Sequence, residues 1–328
     1  MIIEKYDYYL PKQLIAQRPV EPRDSSRLMV VGNTIEHRHF YDIVEYLNEN
    51  DLLVFNNSRV IRARVKGNKE TGGKVELLFL SNEKDPDILV RGKKVRPGTR
   101  IYIGEIKGTV REKKEGICKI DFNDDVSNII DRYGEVPLPP YIKEHLENGE
   151  RYQTIYSKVQ GSVAAPTAGL HFTENLLNSI QRKGVKISFI TLHISYSTFK
   201  PLNESEIIDG KLHEEYYHID DETAMTINNR QGRLFTVGTT VVRALESSSK
   251  NGKIIPGAFK TDLFIKEGYN FQSGIDALIT NFHIPRSSLL MLVTAFGGYE
   301  RIMNAYKIAV ENNYRFYSFG DAMLIFKK

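Results

Sequence analysis

The order of apolar and polar segments constrains the fold of this chain more than any other feature. Four stretches contain a loop of small and polar residues, and three of these loops follow an apolar run typical of a β-strand. The strand-like runs cover residues 185–194, 234–237 and 277–282. Strands that alternate with helices form an α/β fold, in which ligands bind outside the carboxyl ends of the strands. The sequence therefore predicts a three-layer-like α/β main domain with one composite pocket.

The fourth loop, at residues 162–173, reads SVAAPTAGLHFT and surrounds His171 with small side chains. Small residues let the backbone and the imidazole approach a bulky ligand, and a glycine removes the side chain altogether. The last threonine is a predicted N-cap for the helical run that follows. A tight turn that binds nothing is the alternative interpretation. The candidate ligand contacts in this loop are Ser162, Thr167, Gly169, Phe172 and Thr173.

The loop after residues 234–237 opens a predicted helix with Gly238, Thr239 and Thr240. Two hydroxyls and the free N–H groups of a helix start suit a carboxylate or a ribose hydroxyl. Arg243 and Glu246 follow on the same helix and are further candidate contacts. An ordinary threonine-capped helix explains the same residues. The usual Rossmann nucleotide turn is not expected, because no Gly-x-Gly-x-x-Gly follows the first strand.

Four of the eight histidines lie in or beside these loops: His171, His193, His213 and His283. Convergence of the strand ends would bring their rings, and the neighbouring Glu214, within reach of one ligand. General acid–base catalysis uses groups that titrate near neutral pH, so these five residues are the catalytic candidates. A hydrogen-bonded structural role is the alternative for each histidine. We expect no metal site, because His-Glu-x-x-His and similar ligand spacings are absent from the sequence.

Residues 66–151 interrupt the α/β pattern with short strand-like runs separated by glycine, proline, asparagine and aspartate. These runs cover residues 74–80, 88–91, 100–103, 107–111 and 116–122. Short strands at this spacing predict a small antiparallel β-barrel. We interpret it as an inserted domain, because the main-domain pattern of residues 1–65 resumes over residues 152–328. The proline-rich run at 135–141 is the predicted stiff linker that returns the chain to the main domain.

Two basic runs stand out, one at the entry to this insertion and one at a turn within it. Arg62, Arg64 and Lys66 alternate, so on a strand they would share one face and form a stripe suited to phosphates. The second run contains Arg91, Lys93 and Lys94. Solvated surface charge explains either run equally well, whereas the two together predict a nucleic-acid footprint.

The composition is that of a globular protein, with 41% hydrophobic and 26% charged residues. The single cysteine, Cys118, excludes an internal disulfide and fits a reducing compartment. The first residues lack the apolar core of a signal peptide, and no segment reaches the roughly 18 apolar residues of a membrane span. We therefore expect a cytoplasmic protein without membrane contact. A net charge of +4 permits a nucleic-acid partner without requiring one.

Several blocks of sequence resemble one enzyme family, in the same order along the chain. They include SSRLM at 25–29, DLLVFNNSRV at 51–60, GEVPLPPYI at 134–142, YQTIY at 152–156, GSVAAPTAGLHFT at 161–173, VGTT at 237–240, RALES at 243–247, TNFHIP at 280–285, SLLMLV at 288–293 and GDAMLI at 320–325. The chain is similar to the S-adenosylmethionine:tRNA ribosyltransferase-isomerases of queuosine biosynthesis. The resemblance implies transfer and isomerisation of the ribosyl group of S-adenosylmethionine onto 7-aminomethyl-7-deazaguanine in tRNA, which yields epoxyqueuosine, adenine and methionine.

The resemblance also implies the partners. S-adenosylmethionine acts as a co-substrate, no cofactor is expected, and the acceptor is a tRNA with a GUN anticodon that carries the queuosine precursor. We expect a monomer, with the two basic runs on the tRNA. Phe172, Phe199 and Phe282 are candidate platforms for nucleotide bases. The further substrate contacts are Arg59, Thr198, Phe199, Asn281, Phe282 and Ser288.

One motif departs from the family. Residues 192–199 read LHISYSTF, where the family usually has a glycine in place of both Ser195 and Ser197. Serine adopts positive φ less readily than glycine, so the loop or the ligand that it contacts differs from the family norm. A related ribosyl transferase with a different acceptor and a non-catalytic tRNA-binding protein are the alternative functions.

Overall fold

The computed structural model describes residues 2–81, 83–144, 146–195, 202, 207 and 209–328. Its α-helices are α1 Val126–Tyr133, α2 Glu174–Arg182, α3 Asp221–Asn228, α4 Thr239–Ser248, α5 Ser288–Gly297 and α6 Tyr299–Glu311. Short 3-10 helices cover Ile2–Tyr6, Lys12–Leu14, Arg23–Ser25, Phe40–Tyr46, Gly149–Tyr152 and Thr167–His171. The strands are β1 Arg27–Val31, β2 Ile35–His39, β3 Leu52–Asn56, β4 Ser58–Val60, β5 Arg64–Lys69, β6 Lys74–Phe79, β7 Ile88–Arg91, β8 Arg100–Ile103, β9 Ile106–Lys114, β10 Ile117–Phe122, β11 Gly134–Glu135, β12 Val159–Ser162, β13 Lys186–Leu192, β14 Lys211–Ile219, β15 Leu234–Val237, β16 Ser249–Lys250, β17 Lys253–Ile254, β18 Gly257–Leu263, β19 Ala277–Asn281 and β20 Ala322–Phe326.

Nine strands form the main sheet, in the order β18-β14-β13-β3-β15-β19-β20-β1-β2. Its centre is parallel, since β13, β3, β15 and β19 run in one direction. Strand β20 lies antiparallel to β19, and antiparallel pairs complete both edges. The sheet is therefore mixed. Its parallel strands place the carboxyl ends of β15 and β19 side by side.

Alternate residues of the central strands point to opposite faces of this sheet. On β3, Leu52 and Val54 pack in one core with α4, α5 and α6. Leu53 and Phe55 pack in a second core with α2 and the 3-10 helix Phe40–Tyr46. All four strand residues are fully buried. Helices thus cover both faces, which confirms the predicted three-layer arrangement.

A second sheet closes on itself and confirms the predicted antiparallel barrel. Its strands follow the order β5-β6-β7-β10-β9-β8, and β8 pairs back to β5 through Tyr102 and Asn68. The barrel interior is a separate apolar core that includes Val65, Leu77 and Ile101. The exact division of the chain at residues 66 and 151 stays a prediction.

Helix α1 lies inside the region where the sequence indicated strands alone. Val126, Ile129 and Ile130 recur at helical spacing, and all three pack on the barrel core. The chain then passes through residues 136–140, which form no helix or strand, as expected of the proline-rich linker. Among the described residues no helix is long and apolar enough to cross a membrane.

Candidate active site

A cavity of about 150 Å³ lies at the carboxyl ends of β15 and β19. The described residues of its wall are 165–168, 238–240, 280–284, 317–318, Tyr141, Ile194, Ser287 and Leu289. Three of the predicted loops therefore meet there, beside the end of the predicted strand 185–194. The predicted contacts that line it are Thr167, Gly238, Thr239, Thr240, Asn281, Phe282 and His283. Two others, Thr198 and Phe199, lie outside the described residues.

Gly238 links β15 to α4 with a φ of 96°, a left-handed conformation that would strain other residues. Its N–H donates to the carbonyl of Ile279 at 2.8 Å and ties the helix start to β19. Thr240 Oγ1 is buried in this wall, and the described part of the chain gives it no hydrogen-bond partner. The wall therefore contains a buried, unpaired hydroxyl at a helix start, where the helix dipole favours negative charge.

His171 lies behind the cavity wall, and both of its ring nitrogens are hydrogen-bonded within the protein. Asn281 Nδ2 donates to His171 Nε2 at 3.1 Å and to the carbonyl of Tyr317 at 3.1 Å. A carbonyl oxygen only accepts hydrogen bonds, so the Asn281 atom beside the Tyr317 carbonyl is the amide nitrogen. Because this nitrogen also donates to His171 Nε2, that ring nitrogen carries no proton. The proton is on Nδ1, which donates to Ser26 Oγ at 2.7 Å.

Burial keeps two of the candidate histidines uncharged. Burial, together with the charges of Arg315 and Arg23, lowers the pKa of His171 to about 3. Burial alone lowers the pKa of His283 to about 3. His283 Nε2 lies 3.1 Å from Thr280 Oγ1, and His283 lines the cavity, whereas His171 does not. At neutral pH the cavity therefore has a neutral imidazole in its wall.

These two neutral rings predict that acid destabilises the protein. An unfolded histidine takes up a proton near pH 6.5, whereas the folded rings stay neutral until the pH approaches 3. The stabilisation is complete above pH 6.5 and is lost as the pH falls from 6.5 towards 3. We expect the free energy of unfolding to drop by about 1–2 kcal/mol per imidazole between about pH 7 and pH 5.

Urea unfolding at both pH values measures this drop. The double variant His171→Gln, His283→Gln should depend less steeply on pH than the wild type. His218→Gln, which removes an exposed imidazole on β14, should leave the dependence unchanged. Equal pH dependence in the double variant and the wild type would contradict the assignment of two neutral rings.

The other three catalytic candidates do not line the cavity. His193 packs against Gly161, where an added Cβ would lie 2.8 Å from the ring, and burial lowers the pKa of His193. His213 and Glu214 are exposed on β14, and Glu214 pairs with Lys260 at 3.0 Å. The described residues contain no group of three or more His, Cys, Asp or Glu that could hold a metal ion.

The buried carboxylate of β14 is Glu215, the neighbour of the predicted Glu214. It is 3% exposed, accepts a hydrogen bond from the N–H of Ser195 at 2.9 Å and pairs with Arg243. Arg243 also donates to two backbone carbonyls of β18, at 3.0 and 3.4 Å. The predicted ligand contact Arg243 is therefore engaged inside the protein.

Glu246 likewise stabilises the protein itself. It accepts hydrogen bonds from Tyr269 Oη at 3.2 Å, the N–H of Gln272 at 2.9 Å and the N–H of Ser273 at 3.2 Å. Its side chain is buried away from the cavity wall. Glu246 thus anchors residues 269–273 to α4.

Several residues of the loop before α2 that were predicted to contact a ligand instead form hydrogen bonds or packing contacts within the protein. Ser162 Oγ bonds two backbone groups at 2.8 Å each. Thr173 Oγ1 accepts from the N–H of Leu176 at 3.1 Å, which confirms the predicted N-cap. Gly169 leaves room for Tyr156, since a Cβ at that position would lie 1.9 Å from Tyr156 Oη.

The two described phenylalanines that were candidate platforms belong to the core. Phe172 is fully buried and packs edge-on against Phe55. Phe282 is also fully buried, although it contributes to the cavity wall. Ser288 is the first residue of α5, and the cavity-lining residue there is the N-cap, Ser287.

Three cavity residues have no signal in the sequence: Tyr141, Tyr317 and Ser318. Tyr141 belongs to the proline-rich linker, and its hydroxyl lies 2.6 Å from Ser318 Oγ. The ring centroids of the two tyrosines are 4.3 Å apart. The linker therefore forms one wall of the cavity in addition to returning the chain.

A groove of about 730 Å³ is lined by the barrel, α1 and the linker. Arg59, Arg62, Arg64 and Lys66 all line it, so the alternating basic run shares one face, as its spacing predicts. Three of the four are paired: Arg59 with Glu150, Lys66 with Glu135 and Arg64 with the carbonyl of Leu138. Arg62 is exposed, and the described residues give it neither a hydrogen bond nor an ion pair.

The second basic run lies outside this groove. Arg91 pairs with Glu76 at 3.5 Å, and the same carboxylate lies 3.8 Å from Arg64. Lys93 and Lys94 are exposed at the turn after β7. Glu76 thus connects the two runs on the outer surface of the barrel.

Comparison with known proteins agrees with this architecture over the full chain. The sequence model of the family described as queuosine biosynthesis protein matches residues 3–325. The S-adenosylmethionine:tRNA ribosyltransferase-isomerase of Carboxydothermus hydrogenoformans is 49% identical, over 99% of this chain and 100% of its own. The protein of the same name from Symbiobacterium thermophilum is 50% identical over the same shares.

A solved structure leads to the same conclusion. The S-adenosylmethionine tRNA ribosyltransferase of Thermotoga maritima is 38% identical, covers 98% of this chain with 99% of its own, and superimposes with a TM-score of 0.58. The matched region runs over nearly the whole chain, so it includes both the mixed sheet and the barrel. This chain therefore belongs to the S-adenosylmethionine:tRNA ribosyltransferase-isomerase family of queuosine biosynthesis.

Proposed function

We propose that this protein transfers the ribosyl group of S-adenosylmethionine to 7-aminomethyl-7-deazaguanine in tRNA and isomerises it to epoxyqueuosine, with release of adenine and methionine. The observation that carries the proposal is a cavity at the strand ends that adjoins a basic groove through consecutive linker residues, Tyr141 and Ile142. The acceptor is a tRNA with a GUN anticodon. S-adenosylmethionine is a co-substrate, no further cofactor is required, and the enzyme acts as a cytoplasmic monomer.

The reaction needs a base that removes a proton from the carbon beside the sulfonium and an acid that assists the departure of adenine. Our candidate for the base is His283, because it lines the cavity and its ring is unprotonated at neutral pH. Burial also makes this ring a weaker base than a free imidazole, so proton removal would depend on the acidity that the sulfonium gives the neighbouring carbon. The Thr240 hydroxyl and the start of α4 are candidates for contacts with a ribose hydroxyl or the methionine carboxylate.

Incubation with S-adenosylmethionine and precursor-bearing tRNA tests the proposal. We expect equal amounts of adenine and methionine, and a nucleoside with the mass of epoxyqueuosine. Adenine release that does not depend on the precursor base would instead indicate another acceptor, as the serines in the 192–199 motif suggest. Tight tRNA binding without any adenine would indicate a non-catalytic RNA-binding protein.

Reversal of the charge at Arg62 should weaken tRNA binding. The side chain is exposed, lines the groove and is unpaired within the described part of the chain. One lost phosphate contact lowers the slope of log affinity against log salt concentration by about 1. Binding of labelled tRNA to Arg62→Glu at several salt concentrations measures this slope.

Lys66→Glu is the matched control, because Glu135 already neutralises Lys66 at 2.7 Å. We expect a smaller change in tRNA affinity for this variant, and unchanged S-adenosylmethionine binding by both variants in the absence of tRNA. If Arg62→Glu binds tRNA as tightly as the wild type at low salt, the footprint lies elsewhere.

A further inference from the structure

Tyr317 adopts a backbone conformation that is unusual for an aromatic residue, with a φ of 72°. Left-handed backbone at a bulky residue costs of the order of 1–3 kcal/mol and persists where the surroundings hold it. Three hydrogen bonds hold it here. Its N–H donates to the carbonyl of Phe282 at 3.1 Å, and its carbonyl accepts from Asn281 Nδ2 at 3.1 Å and from the N–H of Gly320 at 2.9 Å. Asn281 ends β19 and Phe282 follows it, so the sheet and the turn to Gly320 together hold the strained residue.

The conformation places Tyr317 against Tyr141 in the cavity wall. The two rings are 4.3 Å apart and inclined by 46°, and both are half-buried. The phenylalanine in the wall, Phe282, is fully buried against Tyr306 and Phe316. Among the described residues, the aromatic surface that a ligand in the cavity can reach therefore belongs to the two tyrosines and to the ring of His283.

A chain of hydrogen bonds supports this arrangement from behind. Ser26 Oγ accepts from His171, whose Nε2 accepts from Asn281, and Asn281 in turn donates to the carbonyl of Tyr317. His171 also stacks on Phe40, with ring centroids 4.9 Å apart. Contacts on the ring face and at both nitrogens thus fix the imidazole. His171 does not line the cavity, but its partner Asn281 does.

We propose that Tyr141 and Tyr317 form a platform on which a purine ring of the substrate stacks, and that Ser26, His171 and Asn281 are positioning residues for Tyr317. Stacking on tyrosine suits a flat heterocycle, because every base has a π-face. The unpaired Thr240 hydroxyl is buried in the wall of the same cavity. The identity of the ring, as the adenine of the donor or the deazaguanine of the acceptor, rests on the proposed function.

The chain contains no tryptophan, so Tyr317→Trp introduces a single fluorescent reporter on the platform. The probes are adenosine, S-adenosylmethionine, precursor-bearing tRNA and the same tRNA without the precursor base. We expect saturable quenching of the tryptophan emission. Tyr102→Trp, at a half-buried tyrosine of the barrel, is the matched control and should not respond to adenosine or S-adenosylmethionine.

The probes distinguish the two sources of the ring. Quenching by adenosine or S-adenosylmethionine assigns the platform to adenine, and quenching by precursor-bearing tRNA alone assigns it to the deazaguanine. No quenching by any probe would overturn the platform. Tyr141→Trp repeats the measurement if the strained site does not accept tryptophan, and Tyr141→Leu should weaken binding of the responding ligand by about 5- to 150-fold.

Variants of His171 test the positioning chain. Glutamine can still accept from Asn281 Nδ2, whereas leucine cannot. We expect His171→Leu to raise the dissociation constant and KM of the stacked ligand by about 3- to 10-fold, and His171→Gln to restore most of this loss. An equal fall of kcat in both variants, with binding unchanged, would overturn the positioning role and indicate proton transfer by His171.

Failure of the platform and failure of the proposed function remain distinguishable. The fluorescence experiment measures binding without turnover, and the adenine-release assay measures turnover by the wild type. Quenching without adenine release would retain the platform and reject the reaction. Adenine release without quenching would retain the reaction and reject the platform.

Discussion

Replacement of Arg243 by methionine is expected to lower the free energy of unfolding by about 3–5 kcal/mol. Arg243 is 6% exposed and pairs through its guanidinium with Glu215, which is 3% exposed. Methionine retains much of the arginine volume but removes the charge that compensates the buried carboxylate. Urea unfolding at neutral pH measures the difference.

The exposed pair of Glu214 on β14 and Lys260 on β18 provides the matched control. Lys260→Met should change the free energy of unfolding by less than about 1 kcal/mol, because solvent screens this pair. Addition of Glu215→Gln to Arg243→Met should recover part of the loss, since it removes the uncompensated charge. Equal effects of Arg243→Met and Lys260→Met would show that burial does not strengthen the first pair.

His283→Gln is expected to lower the rate of adenine release by about 10²- to 10⁴-fold, the usual cost of losing a general base. The fold should survive, because the hydrogen bonds of His283 with Tyr306 and Tyr8 involve its backbone N–H and carbonyl. Single-turnover assays of adenine release, together with thermal unfolding of the variant, separate the two effects.

The pH dependence sharpens this test. Because the pKa of His283 is about 3, its ring should not impose an acid limb on kcat/KM in the neutral range. Thr280→Val, which removes the hydroxyl near His283 Nε2 but keeps the imidazole, should reduce turnover much less. A rate for His283→Gln close to that of the wild type would assign the proton transfer to another group.

The strand–loop–helix order was predictable because burial imposes a period on the sequence. Strand β15 covers the predicted residues 234–237, and β7 and β8 also begin and end where the pattern indicated. The antiparallel placement of β20 beside β19 was not predictable in this way. Such a pairing depends on contacts between distant segments, and local periodicity carries no information about strand direction.

The alternation of apolar residues along β14 is a sequence signal that favours Glu215 over the predicted Glu214. Tyr217 and Ile219 of β14 are buried, and Glu215 lies on the same face because strand side chains alternate. Glu214 points to the opposite, exposed face. A strand prediction for residues 211–219 would have selected the buried carboxylate.

The platform tyrosines illustrate what sequence reasoning alone does not reach. Tyr141 and Ser318 are in contact although 177 positions separate them. The sequence favoured the phenylalanines next to the pocket histidines as stacking platforms. The side chains of Phe172 and Phe282 instead point into the core and are fully buried. The folded linker brings the half-buried Tyr141 to the strand ends, where it meets Tyr317.

The linker has a thermodynamic consequence. Tyr141 faces the cavity and the next residue, Ile142, faces the basic groove, so one peptide unit separates the two binding sites. A ligand that displaces this segment from either side changes the free energy of binding on the other. By linkage, the factor by which tRNA alters affinity in the cavity equals the factor by which the cavity ligand alters tRNA affinity. Under the proposed function, such coupling would make the two substrates reciprocal effectors across a shared wall.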